Sequence, residues 1–450
     1  MTRPIPQPVQ RENVLSALLN QRMLICIFTG FSSGLPLYFL FSLIPAWLKT
    51  EKISLATIGL FSLIGLPYMW KFIWAPFMDR FTPPFLGRRR GWMLITQFAL
   101  LASMAAVGLF NPLISIWTVA YFSAAIAFLS ASQDITLDAY RRELLPDLEL
   151  GLGNSIHVNA YRISGLVPGS LGLILADHIA WQWVFPIMAL FMLPGILMAF
   201  FISEPYTPKQ SHVTLEEYVI APFKEFYHRL GGRRTFLFLT FIFLYKLGDS
   251  MATALSTPFY MDLGFTLTQI GLIAKQATLW PSIIGGIAGG LVMVKIGINR
   301  ALWLFGAVQL ITILGFAWLS VAGNQIWIFA LVITMEYLGV GLGTAAFVAF
   351  MAQSTHKDYT ATQLALFTAL AAVPRTFANA ITGYLVQGYD NATPFIIKAL
   401  LHILRVPKTG LGWTDFFLIC TLLAIPGMLL LFYVAPWNGH AERQPKYYQA

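Results

Sequence analysis

Charge is scarce in this chain of 450 residues: Asp, Glu, Lys and Arg make up 11%, against about a quarter in an average soluble domain. Hydrophobic residues reach 57%, more than one water-bounded core can hide, so lipid must be the solvent for much of the surface. Acids are fewer than bases, 20 to 29, and the net charge of +9 raises the question of nucleic acid. The bases argue against that partner, because they lie in short segments between apolar runs and not on one soluble face. Only two cysteines occur, Cys26 and Cys420, both inside apolar runs, which argues against a disulfide framework and a metal cluster. No period-two alternation competes with the long apolar runs, and a membrane barrel would need it over segments of about ten residues. No glycine-rich phosphate loop is present, which argues against a nucleotide-driven pump. A membrane-embedded transferase or hydrolase would need a nucleophile, a base and an orienting partner. His157 is the one histidine expected to reach the interior, and no His–Asp or Cys–His pairing is evident. The first apolar run follows a basic tail without a small-residue cleavage site, so it is expected to remain as an anchor.

What is present in abundance is apolar length. A helix crosses hydrocarbon with about 20 apolar residues. Runs of that kind begin near Met23, Ala56, Trp92, Ile114, Gly153, Trp183, Phe236, Thr268, Ala301, Ile326, Thr362 and Thr414, which predicts an all-α membrane protein of twelve transmembrane helices. Placing both termini in the cytoplasm puts 19 of the 29 bases on that side, as the positive-inside rule requires. Lys49, Lys52, Lys398, Arg405 and Lys408 fall on the other side. The longest connection on the basic side divides the chain into a six-helix half over 1–203, a cytoplasmic linker over 204–234 and a second half over 235–450. Thr214 and Glu217 have capping-box spacing, and Phe223, Phe226 and Leu230 continue an amphipathic surface helix.

The halves echo each other. Ser54-Leu55-Ala56-Thr57-Ile58-Gly59-Leu60 returns as Thr266-Leu267-Thr268-Gln269-Ile270-Gly271-Leu272, 212 residues later. Arg22 meets Arg234 and Arg88 meets Arg300 at the same offset, while Arg162 meets Arg375 and Asp177 meets Asp390 one residue further on. Parallel repeats of six helices are the build of major-facilitator transporters, with the substrate site between the halves near the midplane.

The segment between helices 2 and 3 carries Asp79-Arg80 and, later, Gly87-Arg88-Arg89-Arg90. It resembles the major-facilitator signature, with a longer spacer, and makes Asp79, Arg80, Arg88 and Arg89 a candidate gating loop. More specific strings are Phe31-Ser32-Ser33-Gly34-Leu35-Pro36, Gly65-Leu66-Pro67-Tyr68, Trp74-Ala75-Pro76 and Ser130-Ala131-Ser132-Gln133-Asp134-Ile135. With these the chain resembles the muropeptide permease (AmpG) family over essentially its whole length. That resemblance implies an inner-membrane importer, driven by the proton gradient and holding no cofactor. It would carry N-acetylglucosaminyl-1,6-anhydro-N-acetylmuramyl units, with or without stem peptide, from periplasm to cytoplasm for peptidoglycan recycling. It also implies a link to β-lactamase induction, and a monomer is expected. A carrier of an acyl-coenzyme-A-like anion or a drug exporter on the same scaffold stands as the alternative.

Ionisable residues inside apolar helices are costly and are functional candidates by default. Asp134, Asp138, Asp249 and Glu336 are the candidate proton-coupling acids, facing Lys71, Arg162, Lys246, Lys275 and Arg375. Asp134 and Asp138 share a helix face at i and i+4. Placing the helix 4 terminus near Tyr140 puts Asp134 about 9 Å from it and Arg162 about 13 Å into helix 5, which suggests a pair. Asp138 has a second reading, as a lock on Arg88 or Arg89. Glu336 and Arg375 are a looser echo near the midplane, or a static pair. Lys246 and Asp249, three residues apart, could simply neutralise each other. Lys275 has no acid on its own helix and suits an anionic ligand.

Lys71, Arg162, Lys275 and Arg375 are candidate carboxylate contacts, joined by Lys246, Gln133 and Gln276 as polar contacts. Tyr38, Tyr68, Trp70, Trp74 and Trp280 lie near the polar positions and offer faces for sugar rings, or pack against lipid and helices. Gly285-Gly286, Gly289-Gly290, Gly165, Gly169 and Gly172 suit close helix approach, and Pro36, Pro67, Pro168, Pro281 and Pro374 should bend their spans. Lys398, His402 and Arg405 share one face of an amphipathic stretch expected on the outer membrane surface.

Overall fold

A computed structural model describes residues 20–204, 221–355, 360–390 and 393–438. Its regular structure is helical throughout the described residues. Nine helices there are long and apolar enough to cross a membrane: α1 (Gln21–Thr50), α3 (Arg88–Val107), α4 (Pro112–Leu144), α6 (Trp181–Phe201), α7 (Gly232–Asp262), α8 (Leu267–Ile296), α9 (Ile298–Ala322), α10 (Ile326–Gln353) and α12 (Gly412–Val434). Three further helical stretches fall where the sequence predicts the remaining spans: α2 over 55–80, α5 over 147–178 and α11 (Thr360–Gln387).

α2 and α5 are interrupted. α2 is broken by 3₁₀ turns at Phe61–Gly65 and Lys71–Ile73, and α5 by a π turn at Val167–Leu171. Prolines accompany two of these breaks, Pro67 at the restart of α2 and Pro168 inside the π turn. Pro36 precedes a π turn at Phe39–Leu43 in α1, whereas Pro281 sits inside an unbroken helical stretch, Lys275–Ile296.

The internal repeat is visible in how helices begin. The Ser54 hydroxyl accepts from the Thr57 N–H at the start of α2, and Thr266 with Gln269 forms a full capping box at the start of α8. Both devices satisfy N–H groups that a helix start leaves without partners. The capping box expected at Thr214 and Glu217 lies outside the described residues, but the surface helix that follows is present as Ala221–Leu230. Its Phe226 packs on Phe238 and Phe367 at 5.1 and 5.0 Å. The amphipathic helix expected on the outer surface runs Phe395–Ile403 and stops short of Arg405, whose φ of 55° takes it off the helix, so the expected three-residue basic face loses its third member.

α1 packs on α5, α3 on α4 and α6, α10 on α8 and α9, and α12 on α7 and α9. Backbone-on-backbone contact makes the α1–α5 crossing possible. A Cβ at Gly30 would overlap the His157 carbonyl oxygen, and one at Gly34 the Tyr161 carbonyl oxygen. Replacing Gly34 with Leu should therefore force these helices apart and cost about 1–3 kcal/mol or more. Thermal unfolding of the purified variant in detergent tests it, and an unchanged midpoint would reject the close crossing.

Candidate functional site

One face of the molecule holds the short turns 51–54 and 263–266, and the other holds residues 81–87, 202–204 and 221–231. These are called the hairpin face and the linker face. Contacts between α1–α6 and α7–α12 gather toward the hairpin face. Lys49 at the end of α1 pairs with Asp262 at the end of α7 at 2.6 Å. Asp177, at the end of α5, accepts from the Thr268 N–H at 3.0 Å and from its hydroxyl at 2.6 Å. The Leu55 N–H of α2 donates to Gln387 Oε1 of α11 at 2.7 Å, and a Cβ at Gly383 would overlap the Leu55 carbonyl. Deeper in, Lys275 of α8 donates to the Ser42 hydroxyl of α1, its stem lying against Gly169 of α5. Deeper on α2 and α11, the Thr376 hydroxyl reaches Met69 Sδ at 3.4 Å. On the linker face, the ion pairs among the described residues stay within one set of helices. The two sets therefore close at the hairpin face and diverge toward the linker face.

The interior charges form two clusters. In the first, Asp134 of α4 accepts from the Ser33 hydroxyl of α1 at 2.6 Å. Lys71, on the second 3₁₀ turn of α2, lies 3.7 Å from Asp138 and also acts electrostatically on Asp134. Asp138 is held more closely by Arg141, at 2.8 Å. Tyr68 and Gln133 line the same region, with the Tyr68 hydroxyl and both Gln133 amide atoms buried without a hydrogen-bond partner. The second cluster is Lys246, Asp249 and Glu336. α7 breaks at Lys246, between Gly232–Tyr245 and Leu247–Ala254, and its ammonium reaches Asp249 Oδ2 at 3.1 Å. Glu336 of α10 is 0% exposed and neighbours Asp249 and the Thr312 hydroxyl. Two acids and one base leave one negative charge uncompensated when all are ionised, and a single proton removes it.

Several sequence expectations need correction. Asp134 and Arg162 do not pair, and the Arg162 side chain makes no ion pair or hydrogen bond among the described residues. The reason is helix length. α4 continues to Leu144 and α5 starts at Asp147, which places Asp134 about 15 Å and Arg162 about 22 Å from those ends at 1.5 Å per residue. Asp138 does not lock Arg88 or Arg89 either. Arg89 holds Glu143 at 2.7 Å, with Arg88 3.6 Å from the same carboxylate. Glu204 meanwhile caps the start of α3 through the Arg89 and Arg90 N–H groups, at 2.7 and 3.0 Å, a favourable place for a carboxylate. The side chains of Asp79, Arg80 and Arg375 lie outside the described residues, and with them the Glu336–Arg375 pair.

The aromatic candidates divide. Trp74 donates to the Ser132 hydroxyl at 3.0 Å and packs on Phe128 at 4.8 Å, so it is built into the α2–α4 contact. Tyr38 packs on Tyr161 at 5.7 Å. Trp70 and Trp280 are exposed, and the Trp280 indole donates to Gln276 Oε1 at 2.9 Å. Ser33, Ser42, Glu143, Gln387 and Thr268 are the partners that sequence reasoning missed. Asp177 carried a signal, its match to Asp390 across the repeat, whereas serines in apolar helices carry none.

This arrangement, two helical sets closed at one face around buried charge, is that of a secondary transporter. The chain belongs to the Major Facilitator Superfamily, whose family model matches residues 26–379. Solved structures share the fold: a D-xylose–proton symporter (TM-score 0.67, 12% identity, 94% of this chain and 98% of that one) and an inward-facing bacterial homolog of the lysosomal transporter Spinster (TM-score 0.67, 15% identity, 92% and 96%). Within the superfamily it falls with the anhydromuropeptide permeases. It is 38% identical to the anhydromuropeptide permease of Escherichia coli over 91% of this chain and 79% of that one. It is also 48% identical to a protein of Haemophilus influenzae over 94% and 96% of the two chains.

Lys246→Met should leave Asp249 and Glu336 without their base, and removing one partner of a buried pair costs about 3–5 kcal/mol. Glu336→Gln removes the uncompensated charge and should cost little. Thermal unfolding of both variants checks the order, and an equal loss in each would contradict the cluster.

Proposed function

We propose that the chain is a proton-driven carrier that imports GlcNAc-1,6-anhydro-MurNAc and its peptides from periplasm to cytoplasm for peptidoglycan recycling, acting as a monomer in the bacterial inner membrane. The observation that carries the substrate is the 38% identity to the Escherichia coli permease across 91% of the chain. On this reading the chain divides at 1–203, 204–234 and 235–450. The linker face is cytoplasmic with both termini, in keeping with the bias of bases to that side. The hairpin-face contacts then form a closed periplasmic seam, and the cavity opens to the cytoplasm.

Import requires the seam to part and the linker face to close in turn. Asp134 is proposed to take a proton from the periplasmic side in exchange for its bond to Ser33. The Lys246–Asp249–Glu336 cluster offers a second proton position, since one proton balances its charge. Arg162, half-buried on α5 with no protein partner among the described residues, is the base best suited to a lactyl or peptide carboxylate, because its planar fork binds such groups bidentately. Lys71, Lys275 and Arg375 would supply further positive charge along the path. Lys275 is engaged with Ser42 while the seam is closed and would become available when it parts.

Uptake of labelled anhydro-disaccharide into proteoliposomes should depend on an imposed proton gradient. Asp134→Asn should lower gradient-driven accumulation by roughly 100-fold, on the scale of a lost group worth about 2.7 kcal/mol, while exchange without a gradient persists. Full accumulation by that variant, or ATP-dependent uptake into de-energised vesicles, would overturn the mechanism.

A further inference from the structure

The two seams on the hairpin face are related by the internal repeat, and they differ. At the α5–α8 seam the Asp177 carboxylate takes both the N–H and the hydroxyl of Thr268 and closes the gap. At the α2–α11 seam the matching positions are Asp390 and Ala56. Ala56 has no hydroxyl to offer. Asp390 turns instead onto its own loop, where its Oδ1 accepts from the Thr393 N–H and hydroxyl, both at 3.0 Å. The space between is a polar cavity of about 450 Å³, within the usual range of roughly 300–1,000 Å³ for small-molecule sites. Ser54 and Thr57 line it at the start of α2, Tyr384 and Tyr389 stand at the end of α11, and Asp390 and Lys408 complete the wall.

We propose that this cavity is an outer saccharide site that holds the sugar portion of the incoming solute before the seam opens. Its lining has the chemistry that sugars require. Ser54 and Thr57 supply hydroxyls that both donate and accept, Asp390 accepts, and two tyrosines offer ring surface to C–H faces. The Lys408 ammonium suits a lactyl carboxylate. The site also touches the seam itself, because Gln387, which takes the Leu55 N–H at 2.7 Å, forms part of its wall. A sugar that hydrogen-bonds Gln387 competes with Leu55 and loosens the bond that closes α2 on α11.

The proposal rests on the muropeptide reading, and one experiment separates the two. Cys26 and Cys420 are buried, so a cysteine introduced as Ala56→Cys is the outward target for a membrane-impermeant maleimide. The full chain is reconstituted in liposomes, and labelling from outside is timed with and without millimolar GlcNAc-1,6-anhydro-MurNAc, with uptake measured in the same vesicles. Labelling is expected to slow at least five-fold with the disaccharide, with or without a proton gradient. Tyr389→Ala or Lys408→Ala should abolish that protection. Undiminished labelling in vesicles that take up the disaccharide overturns the outer site and leaves the transport reading standing. Protection that survives in both the Tyr389 and Lys408 variants also overturns it. Protection in vesicles that never take up the disaccharide supports the site and counts against transport.

Discussion

Hydrocarbon offers no partner to a polar group, so a polar group inside this molecule is tolerated where another part of the protein or a polar cavity meets it. Helices solve the problem for the backbone. Side chains remain, and the structure meets them by bringing small hydroxyls to charged groups, as with Ser33 at Asp134 and Ser42 at Lys275. It also places two of its interior bases where helices are interrupted. Lys71 opens a 3₁₀ turn of α2, and Lys246 lies between two pieces of α7. Such breaks are tolerated at membrane depth only where neighbouring helices or a polar cavity satisfy the freed groups. At Lys71 and Lys246 the interruption and the buried charge coincide.

The same constraint explains how far the sequence could be read. Helix existence was legible because about 20 apolar residues in a row have few other uses. The repeat was legible because helix starts need caps, and Ser54 and Thr266 supply them at the same offset that aligns the halves. Contacts between helices were not legible, since they depend on where each helix ends and how it is rotated. Extending α4 by four residues beyond Tyr140 and starting α5 at Asp147 was enough to separate Asp134 from Arg162. Glu143 took the arginines expected at Asp138. That partnership follows from the approach of α3 to α4, which no local spacing encodes. Lys246 with Asp249 could be read because both lie on α7, three residues apart, and the 3.1 Å bond survives the break between them.

The periplasmic seam of the proposed cycle is held by contacts of a kind that part readily. Lys49–Asp262 is partly exposed, and such pairs contribute about 0–1 kcal/mol. Each hydrogen bond at Asp177 or Gln387 adds roughly 1 kcal/mol net. Close glycine contact between α2 and α11, at Gly59 and Gly383, brings backbone against backbone. Together these terms suffice to favour one state by a few kcal/mol and leave the other within reach, which a bistable carrier needs. The unequal seams add direction to that balance. α5 meets α8 through Asp177, which accepts from both the N–H and the hydroxyl of Thr268, whereas α2 meets α11 beside a polar hollow, so in the proposed cycle the α2–α11 line is where the smaller disturbance starts the opening.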